Sequence, residues 1–173
     1  MKRLWAPWRM EYILRENKST GEGGGSSCVL CDLAKEEDGP GNLILRRGKL
    51  AYVVMNKYPY SNGHLMVVPN RHEKDFDALS EEEGAEIFRL GQMCVALLRR
   101  AVNAQGFNLG LNLGKPAGAG IDPHLHLHVV PRWEGDHNYM TVVGEVRTIP
   151  EHIRATYEGL REAIRRDFPE SPA

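Results

Sequence analysis

The chain has 173 residues, of which 42% are hydrophobic and 26% are charged, with a formal net charge of −1 at pH 7. These values are typical of one globular domain with extensions, and the charge gives no global attraction to DNA or RNA. No apolar run approaches the roughly 18 residues of a membrane span. Three cysteines without an export signal favour a reducing cytoplasm over a disulfide framework.

Composition divides the chain into three segments. Residues 1–27 form an aromatic arm, expected to pack on the body or on a second subunit, and end in a flexible glycine-rich linker at 21–27. The aromatic residues in question are Trp5, Trp8 and Tyr12. Residues 28–145 are the predicted main domain, and residues 146–173 are a C-terminal helical extension.

The first half of the main domain is rich in strand signals. Two strands are predicted at 43–47 and 50–56, around a hairpin turn at Gly48 and Lys49. A third and very apolar strand is predicted at 64–69. Closely spaced strands of this kind favour an antiparallel sheet.

A long helix is predicted after these strands. Ser80 and Glu83 have the spacing of a capping box, and the apolar pattern that follows extends to about Gln105, with Gly106 as the stop. The predicted buried stripe consists of Ile87, Leu90, Cys94, Leu97, Leu98 and Ala101.

The remaining elements complete an α+β pattern. Alternation predicts strands at 107–113 and at 123–131, separated by a loop rich in glycine and alanine at 115–122. A second capping signal at 148–151 predicts a helix that ends before Pro169. This order favours an α+β fold on an antiparallel sheet.

Three histidines, His124, His126 and His128, alternate with leucines in the last predicted strand. A strand would place the imidazoles on one face and the leucines on the other. Imidazole acts as a nucleophile, acid, base or metal ligand near neutral pH. Two other interpretations stay open: half-buried polar residues without chemistry, and a zinc hydrolase that uses two or three of these histidines as ligands.

The run from His124 to Val130 resembles the signature of the histidine triad family, in which three histidines alternate with apolar residues. The segments 64–72 and 112–114 are similar to two further family segments and occur in the expected order. The resemblance covers about residues 28–133. It implies a sheet of about five antiparallel strands, with one long helix packed on it and a C-terminal helix.

The resemblance also implies a nucleotidyl hydrolase or transferase that cleaves dinucleoside polyphosphates at an α-phosphorus. His126 would be the nucleophile of a covalent nucleotidyl-histidine intermediate, and His128 would contact phosphate or leaving-group oxygen. No organic cofactor is implied. The residues expected to contact the nucleotide or its phosphates, together with His128, are Asn56, His64, Asn112, Gly118, Ala119 and Gly120.

Cys28 and Cys31 have the Cys-x2-Cys spacing of a metal or redox site. The βαβ context of a thioredoxin-like motif is absent. Resemblance to zinc-binding family members adds His72 and His124 as ligands of a closed, structural zinc site. A reduced pair without metal stays open, and Cys94 is expected to be a small core residue.

The loop before the triad does not indicate whether water or inorganic phosphate attacks the covalent intermediate in the second half of the reaction. Hydrolase members carry Gln or a similar polar residue there, and the related phosphorylases use Gly-Ser where this chain has Ala119-Gly120. Residues 4–9 and 131–136 are similar to the bacterial diadenosine tetraphosphate phosphorylase branch, in which inorganic phosphate releases the nucleotidyl group. Hydrolysis, phosphorolysis, a purine nucleoside phosphoramidase activity and a nucleotide-binding module with vestigial activity therefore remain alternatives.

The expected partners are a nucleotide or dinucleoside polyphosphate substrate and inorganic phosphate. Neither DNA, RNA nor a membrane is expected to bind. The family pairs two protomers into one extended sheet, so the resemblance implies a homodimer.

Overall fold

The computed structural model describes residues 28–121, 123–136 and 149–169. Within them, five antiparallel strands form one sheet that is accompanied by three helices, which confirms the predicted α+β architecture. The elements in chain order are α1 (Val29–Lys35), β1 (Ile44–Arg47), β2 (Ala51–Met55), β3 (Leu65–Pro69), α2 (Glu81–Ala101), β4 (Gly106–Gly110), β5 (Leu127–Arg132) and α3 (Ile153–Asp167).

The sheet has the strand order β1-β2-β3-β5-β4, so β5 lies between β3 and β4 and β4 forms one edge. The long helix α2 contacts β2, β3 and β5, while α3 contacts α2 and β1. The two central strands β2 and β3 are buried along their whole length. The core therefore lies between the sheet and the two longer helices, and holds β3 and β5 rigidly side by side.

The predicted hairpin between β1 and β2 is confirmed, and a buried carboxylate holds its turn. The backbone N–H groups of Lys49 and Leu50 each donate to the carboxylate of Glu86 in α2, both at 2.8 Å. A Cβ atom at Gly48 would lie 2.2 Å from Glu86 Oε1, so the turn requires glycine at this position. These contacts explain why a glutamate is buried in the helix stripe.

The capping box at the start of α2 is confirmed: Glu83 N–H donates to Ser80 Oγ at 3.2 Å, and Ser80 N–H donates to the Glu83 carboxylate at 2.9 Å. The predicted end of the helix is wrong. The helix ends at Ala101, because Asn103 adopts a left-handed φ of 51° that stops helical propagation. Five of the six predicted stripe residues are buried, and the sixth, Ala101, is exposed.

Strand bounds differ from the prediction at the site itself. β4 ends at Gly110 rather than at residue 113, and β5 begins at Leu127, so His124 and His126 precede the strand. The reason is that the chain before Leu127 leaves the β3 ladder: the His124 side chain donates to the carbonyl of Pro69 at the end of β3, and the Leu125 N–H donates to Glu73 beyond it. The short helix α1 was not predicted, and α3 begins after His152, later than the capping signal indicated.

Several predictions lie outside the described residues: the aromatic arm and linker, Asp122, and Thr148 of the second capping signal. The boundaries of the main domain at residues 28 and 145 stay predictions. None of the described helices combines the length and apolarity that a membrane span requires.

Candidate active site and metal centre

The segment 124–128 connects two clusters of polar side chains. β3 and β5 pair from Leu65 opposite Val129 to Val67 opposite Leu127, which places His128 opposite Met66. Before Leu127 the pairing stops, and the Leu125 N–H donates to the Glu73 carbonyl at 2.6 Å. The three histidines are therefore held by different parts of the fold, although all three are buried.

Four potential metal ligands converge at the first of these histidines. The Cys28 and Cys31 Sγ atoms lie 3.3 and 3.4 Å from His124 Nδ1, and Cys31 Sγ lies 3.3 Å from His72 Nδ1. All four ligand atoms lie within 4.8 Å of one another. The structure thus brings together the whole set that sequence reasoning selected.

The donor set fits a tetrahedral zinc ion. Sulfur at ~2.3 Å and nitrogen at ~2.1 Å from zinc are about 3.6 Å apart at the tetrahedral angle, close to the separations seen here. His124 Nε2 is 3.0 Å from the Pro69 carbonyl, which can only accept, so the ring hydrogen is on Nε2 and the Nδ1 lone pair faces the thiols. A backbone carbonyl that orients a histidine in this way is a usual outer contact of metal ligands.

Burial is the main cause that raises the pKa of the Cys31 thiol, and the neighbouring Cys28 raises it further. A divalent cation would oppose this effect, because the thiolate is the form that binds metal. Four protein ligands would leave no open position for water or substrate, so the cluster has the character of a structural site.

The middle histidine is oriented for nucleophilic chemistry. His126 Nδ1 lies 2.8 Å from the carbonyl oxygen of His124, which fixes the hydrogen on Nδ1 and leaves the lone pair on Nε2. His126 Nε2 has no hydrogen-bond partner among the described residues, where every fully buried side-chain nitrogen or oxygen has one. None of the described residues therefore occupies the Nε2 lone pair, which is what a nucleophilic atom requires.

A chain of hydrogen bonds determines the protonation of the third histidine. His64 Nδ1 accepts from the Tyr60 backbone N–H at 3.1 Å and lies 3.3 Å from the Asn56 amide nitrogen. Because a backbone N–H can only donate, the His64 hydrogen is on Nε2 and is donated to His128 Nδ1 at 3.0 Å. His128 therefore presents an N–H at Nε2. The Asn112 Nδ2 atom lies 3.3 Å from this nitrogen, so the Asn112 amide has to be turned about its Cβ–Cγ axis for its oxygen to accept from that N–H.

The imidazoles of His64, His126 and His128 are neutral near pH 7. Burial lowers the pKa of His64 to about 3 and that of His128 to about 4, with smaller contributions from the neighbouring imidazoles. Burial also lowers the pKa of His126, against the opposing effect of its hydrogen bond to the His124 carbonyl. A neutral His126 keeps its lone pair available.

The expected nucleotide contacts are distributed unevenly. Asn56, His64 and Asn112 join the hydrogen-bonded chain around His128. In the glycine-rich loop the Gly118 and Ala119 N–H groups donate within the loop, to the Lys115 and Gly114 carbonyls. Among the described residues, neither these two nor Gly120 forms a hydrogen bond with a histidine of the site, so their contact with phosphate stays a prediction.

The role of His126 as a nucleophile predicts that its Nδ1 hydrogen is donated to a backbone carbonyl, and the structure confirms such a bond, to the His124 carbonyl. Sequence reasoning missed which backbone groups orient the imidazoles. The carbonyls of Pro69 and His124 and the N–H of Tyr60 are backbone atoms, which no residue type signals. The Tyr60 side chain was missed as well, although its place in a loop that leads directly to His64 could have indicated it.

Comparisons with known proteins show which proteins the chain is similar to. A family profile for the HIT domain matches residues 39–135. The AP-4-A phosphorylase of Mycobacterium tuberculosis (strain H37Rv) is 40% identical over 161 residues, which is 90% of this chain and 80% of that protein. The asymmetrical bis(5'-nucleosyl)-tetraphosphatase of Schizosaccharomyces pombe is 28% identical over 96 residues, covering 56% of this chain and 52% of that protein.

A solved structure supports the fold. The zinc-bound histidine triad family protein from Mycobacterium smegmatis superposes with a TM-score of 0.66 at 27% sequence identity. The match covers 83% of this chain and 96% of that one.

Proposed function

Because the chain belongs to the histidine triad family, we propose that it cleaves dinucleoside polyphosphates at an α-phosphorus through a covalent nucleotidyl intermediate on His126. The observation that carries the proposal is the hydrogen bond from His126 Nδ1 to the His124 carbonyl, which leaves Nε2 as a free lone pair. The names of the mycobacterial and yeast relatives support the substrate class.

In the first step, Nε2 of His126 forms a bond to the α-phosphorus, and the bond from that phosphorus to the bridging oxygen breaks. The leaving nucleotide departs opposite the attacking nitrogen. His128, whose Nε2 carries a hydrogen, donates a hydrogen bond to the bridging oxygen as negative charge develops there. The 4.7 Å between the two ring centroids allows both imidazoles to contact one phosphate group.

In the second step, an oxygen nucleophile attacks the same phosphorus and releases His126 with its lone pair restored. We propose inorganic phosphate for this role, which the name of the 40%-identical relative supports. The product pair from diadenosine tetraphosphate would then be ADP and ATP, whereas water would give AMP and ATP.

Zinc is the proposed occupant of the cluster of Cys28, Cys31, His72 and His124. When bound, the ion supplies cross-linking and no acid chemistry, because all four positions are filled by protein atoms. It would join α1 to the segment that follows β3 and to His124. Since the His124 carbonyl orients the nucleophile, the ligands also support the position of His126.

A product assay with diadenosine tetraphosphate tests the proposed function, with and without inorganic phosphate. We expect ADP and ATP in equal amounts, only when phosphate is present. AMP and ATP without added phosphate would instead assign hydrolysis. If no dinucleoside polyphosphate is consumed, the proposed function is overturned, and consumption of an adenylated amine alone would assign a phosphoramidase activity instead.

We also propose that two copies of the chain associate through the β4 edge and the adjacent face of α2. Leu109 in β4 is 47% exposed and Phe88 in α2 is 65% exposed, and both line one shallow apolar depression. A second copy would cover this apolar surface and extend the sheet. Sedimentation analysis at micromolar concentration is expected to give a dimer, and Phe88→Asp a monomer; a monomeric wild type would contradict this proposal.

A further inference from the structure

The phenol ring of Tyr60 lies against the imidazole pair at the active site. Its centroid is 4.8 Å from that of His64, with 32° between the ring planes, and 5.6 Å from that of His128, with 37°. The residue nevertheless remains 44% exposed. One face of the ring is thus supported by the site, while much of the side chain is open to solvent.

The position of Tyr60 relative to His126 and His128 indicates which part of the substrate the ring can contact. His126 contacts His128 with 4.7 Å between centroids, and Tyr60 contacts His128 but forms no ring contact with His126. His128 is therefore the imidazole that both rings contact. In the proposed mechanism His128 donates to the bridging oxygen, so the leaving nucleotide begins at the imidazole against which Tyr60 lies.

The loop that carries the ring is ordered by the same contacts. The Tyr60 backbone N–H donates to His64 Nδ1, so the residue is fixed at its backbone as well as at its ring. An aromatic surface held in this way binds a flat ligand without a large loss of side-chain entropy. Nucleobases stack on such surfaces regardless of their identity.

We propose that Tyr60 is the stacking platform for the base of the leaving nucleotide, and that it selects polyphosphates with two nucleosides over those with one. The inference rests on the proposed function, because it assumes attack by His126 on an α-phosphorus. It assigns to Tyr60 a role in specificity and none in bond cleavage.

The test compares kcat/KM for diadenosine tetraphosphate and adenosine 5'-tetraphosphate, which lacks the second base. We expect Tyr60→Leu to lower the preference for the dinucleotide about tenfold, which corresponds to about 1.4 kcal/mol of stacking, mainly through KM. Tyr60→Phe and Tyr60→Trp keep an aromatic face and should retain the preference. Phe76→Leu, which removes an exposed aromatic ring of another loop, is the matched control.

If Tyr60→Leu lowers kcat/KM equally for both substrates, the inference is overturned, because the ring would then only support the imidazole pair. An unchanged preference would overturn it as well. If the wild type cleaves neither nucleotide, the proposed function fails, and calorimetric dissociation constants for the same two nucleotides still decide the inference. The inference is supported if Tyr60→Leu binds diadenosine tetraphosphate tenfold more weakly than the wild type does but binds adenosine 5'-tetraphosphate equally well. It is contradicted if the wild type and Tyr60→Leu bind diadenosine tetraphosphate equally well.

Discussion

The metal cluster and the imidazole chain lie at the two ends of one short segment and use histidine in opposite ways. His124 is hydrogen-bonded through Nε2 and directs Nδ1 towards two thiols. His126, two residues later, is hydrogen-bonded through Nδ1 and leaves Nε2 open. In both residues a backbone carbonyl accepts from one nitrogen and thereby decides which nitrogen carries the chemistry.

The two clusters also differ in how completely they are closed. The four ligand atoms of the metal cluster face one another, so a bound ion would have no room for substrate. Beside the imidazole chain, His126 Nε2 has no hydrogen-bond partner among the described residues, as the proposed attack on an external phosphorus requires. The comparison teaches that the placement of carbonyl acceptors, rather than residue type, sets which nitrogen each histidine directs towards its cluster.

Removing the nucleophile should have the largest effect. We expect His126→Ala to lower kcat/KM at least about 10⁴-fold, because loss of the nucleophile removes the covalent route altogether. Steady-state kinetics with diadenosine tetraphosphate measure the effect, and the thermal midpoint shows that the fold survives. His152→Ala changes an exposed histidine at the start of α3 and should keep full activity. If His126→Ala keeps more than a tenth of the wild-type activity, the assignment of His126 as the nucleophile is contradicted, and with it the difference proposed between the two clusters.

Loss of the metal should act on stability first. We expect chelation, or Cys31→Ser, to remove one zinc ion per chain and to lower the free energy of unfolding by at least about 3 kcal/mol. This corresponds to about 6–12 °C in the thermal midpoint for a chain of this size. Cys94→Ala is the matched control, since that buried thiol lies in α2 outside the cluster and the variant should keep its zinc. An unchanged midpoint after chelation would show that the cluster carries no structural metal.

The imidazole chain predicts a loss of stability in acid. The pKa values of His64 and His128 are lowered to about 3 and about 4 in the folded state, so the unfolded chain takes up protons first as the pH falls below 6.5. The free energy of unfolding should therefore decrease by up to about 2.7 kcal/mol per pH unit between pH 6.5 and 4 from these two groups. Urea unfolding at several pH values measures the slope, and His64→Phe should remove about half of this contribution. If the free energy of unfolding of the wild type and of His64→Phe depends on pH with the same slope, the assignment of a lowered pKa to His64 is contradicted.

The smallest predicted effect tests the hydrogen-bonded chain itself. His64→Phe removes the donor to His128 Nδ1, so His128 no longer presents its hydrogen only at Nε2. We expect kcat to fall about tenfold, with KM little changed, because the lost hydrogen bond strengthens mainly in the transition state. His64→Gln keeps an N–H donor and should recover part of the activity. Equal rates for His64→Phe and the wild type would mean that the tautomer of His128 is not fixed by His64.

Local patterns were enough to predict most of the fold. Alternation located the strands, the turn at Gly48 was confirmed, and Ser80 with Glu83 marked the start of α2. Prediction failed where tertiary contacts decide the backbone. β5 begins late because the preceding residues bond to Pro69 and Glu73, more than 50 positions earlier in the chain. Nothing within a short window of sequence contains that information.

For the site, the Cys-x2-Cys spacing together with the family resemblance was sufficient to bring Cys28, Cys31, His72 and His124 into one predicted cluster. The Nδ1 hydrogen of His126 was predicted from its role as a nucleophile. The tautomers of the other site histidines were beyond sequence reasoning, since they depend on backbone groups of Tyr60 and Pro69. Backbone atoms are the same at every position, so only the folded arrangement identifies which of them matter.

The position of β5 between β3 and β4 has a consequence for biosynthesis. Cys28 and His124 are 96 positions apart, and the strand that follows His124 must insert beside one made much earlier. Such long-range pairing forms late and slows folding. A nascent chain that has emerged only as far as α2 holds three paired strands but neither cluster, because the triad has not yet been synthesised. Both clusters can therefore form only after His124 and β5 have been synthesised and β5 has paired with β3.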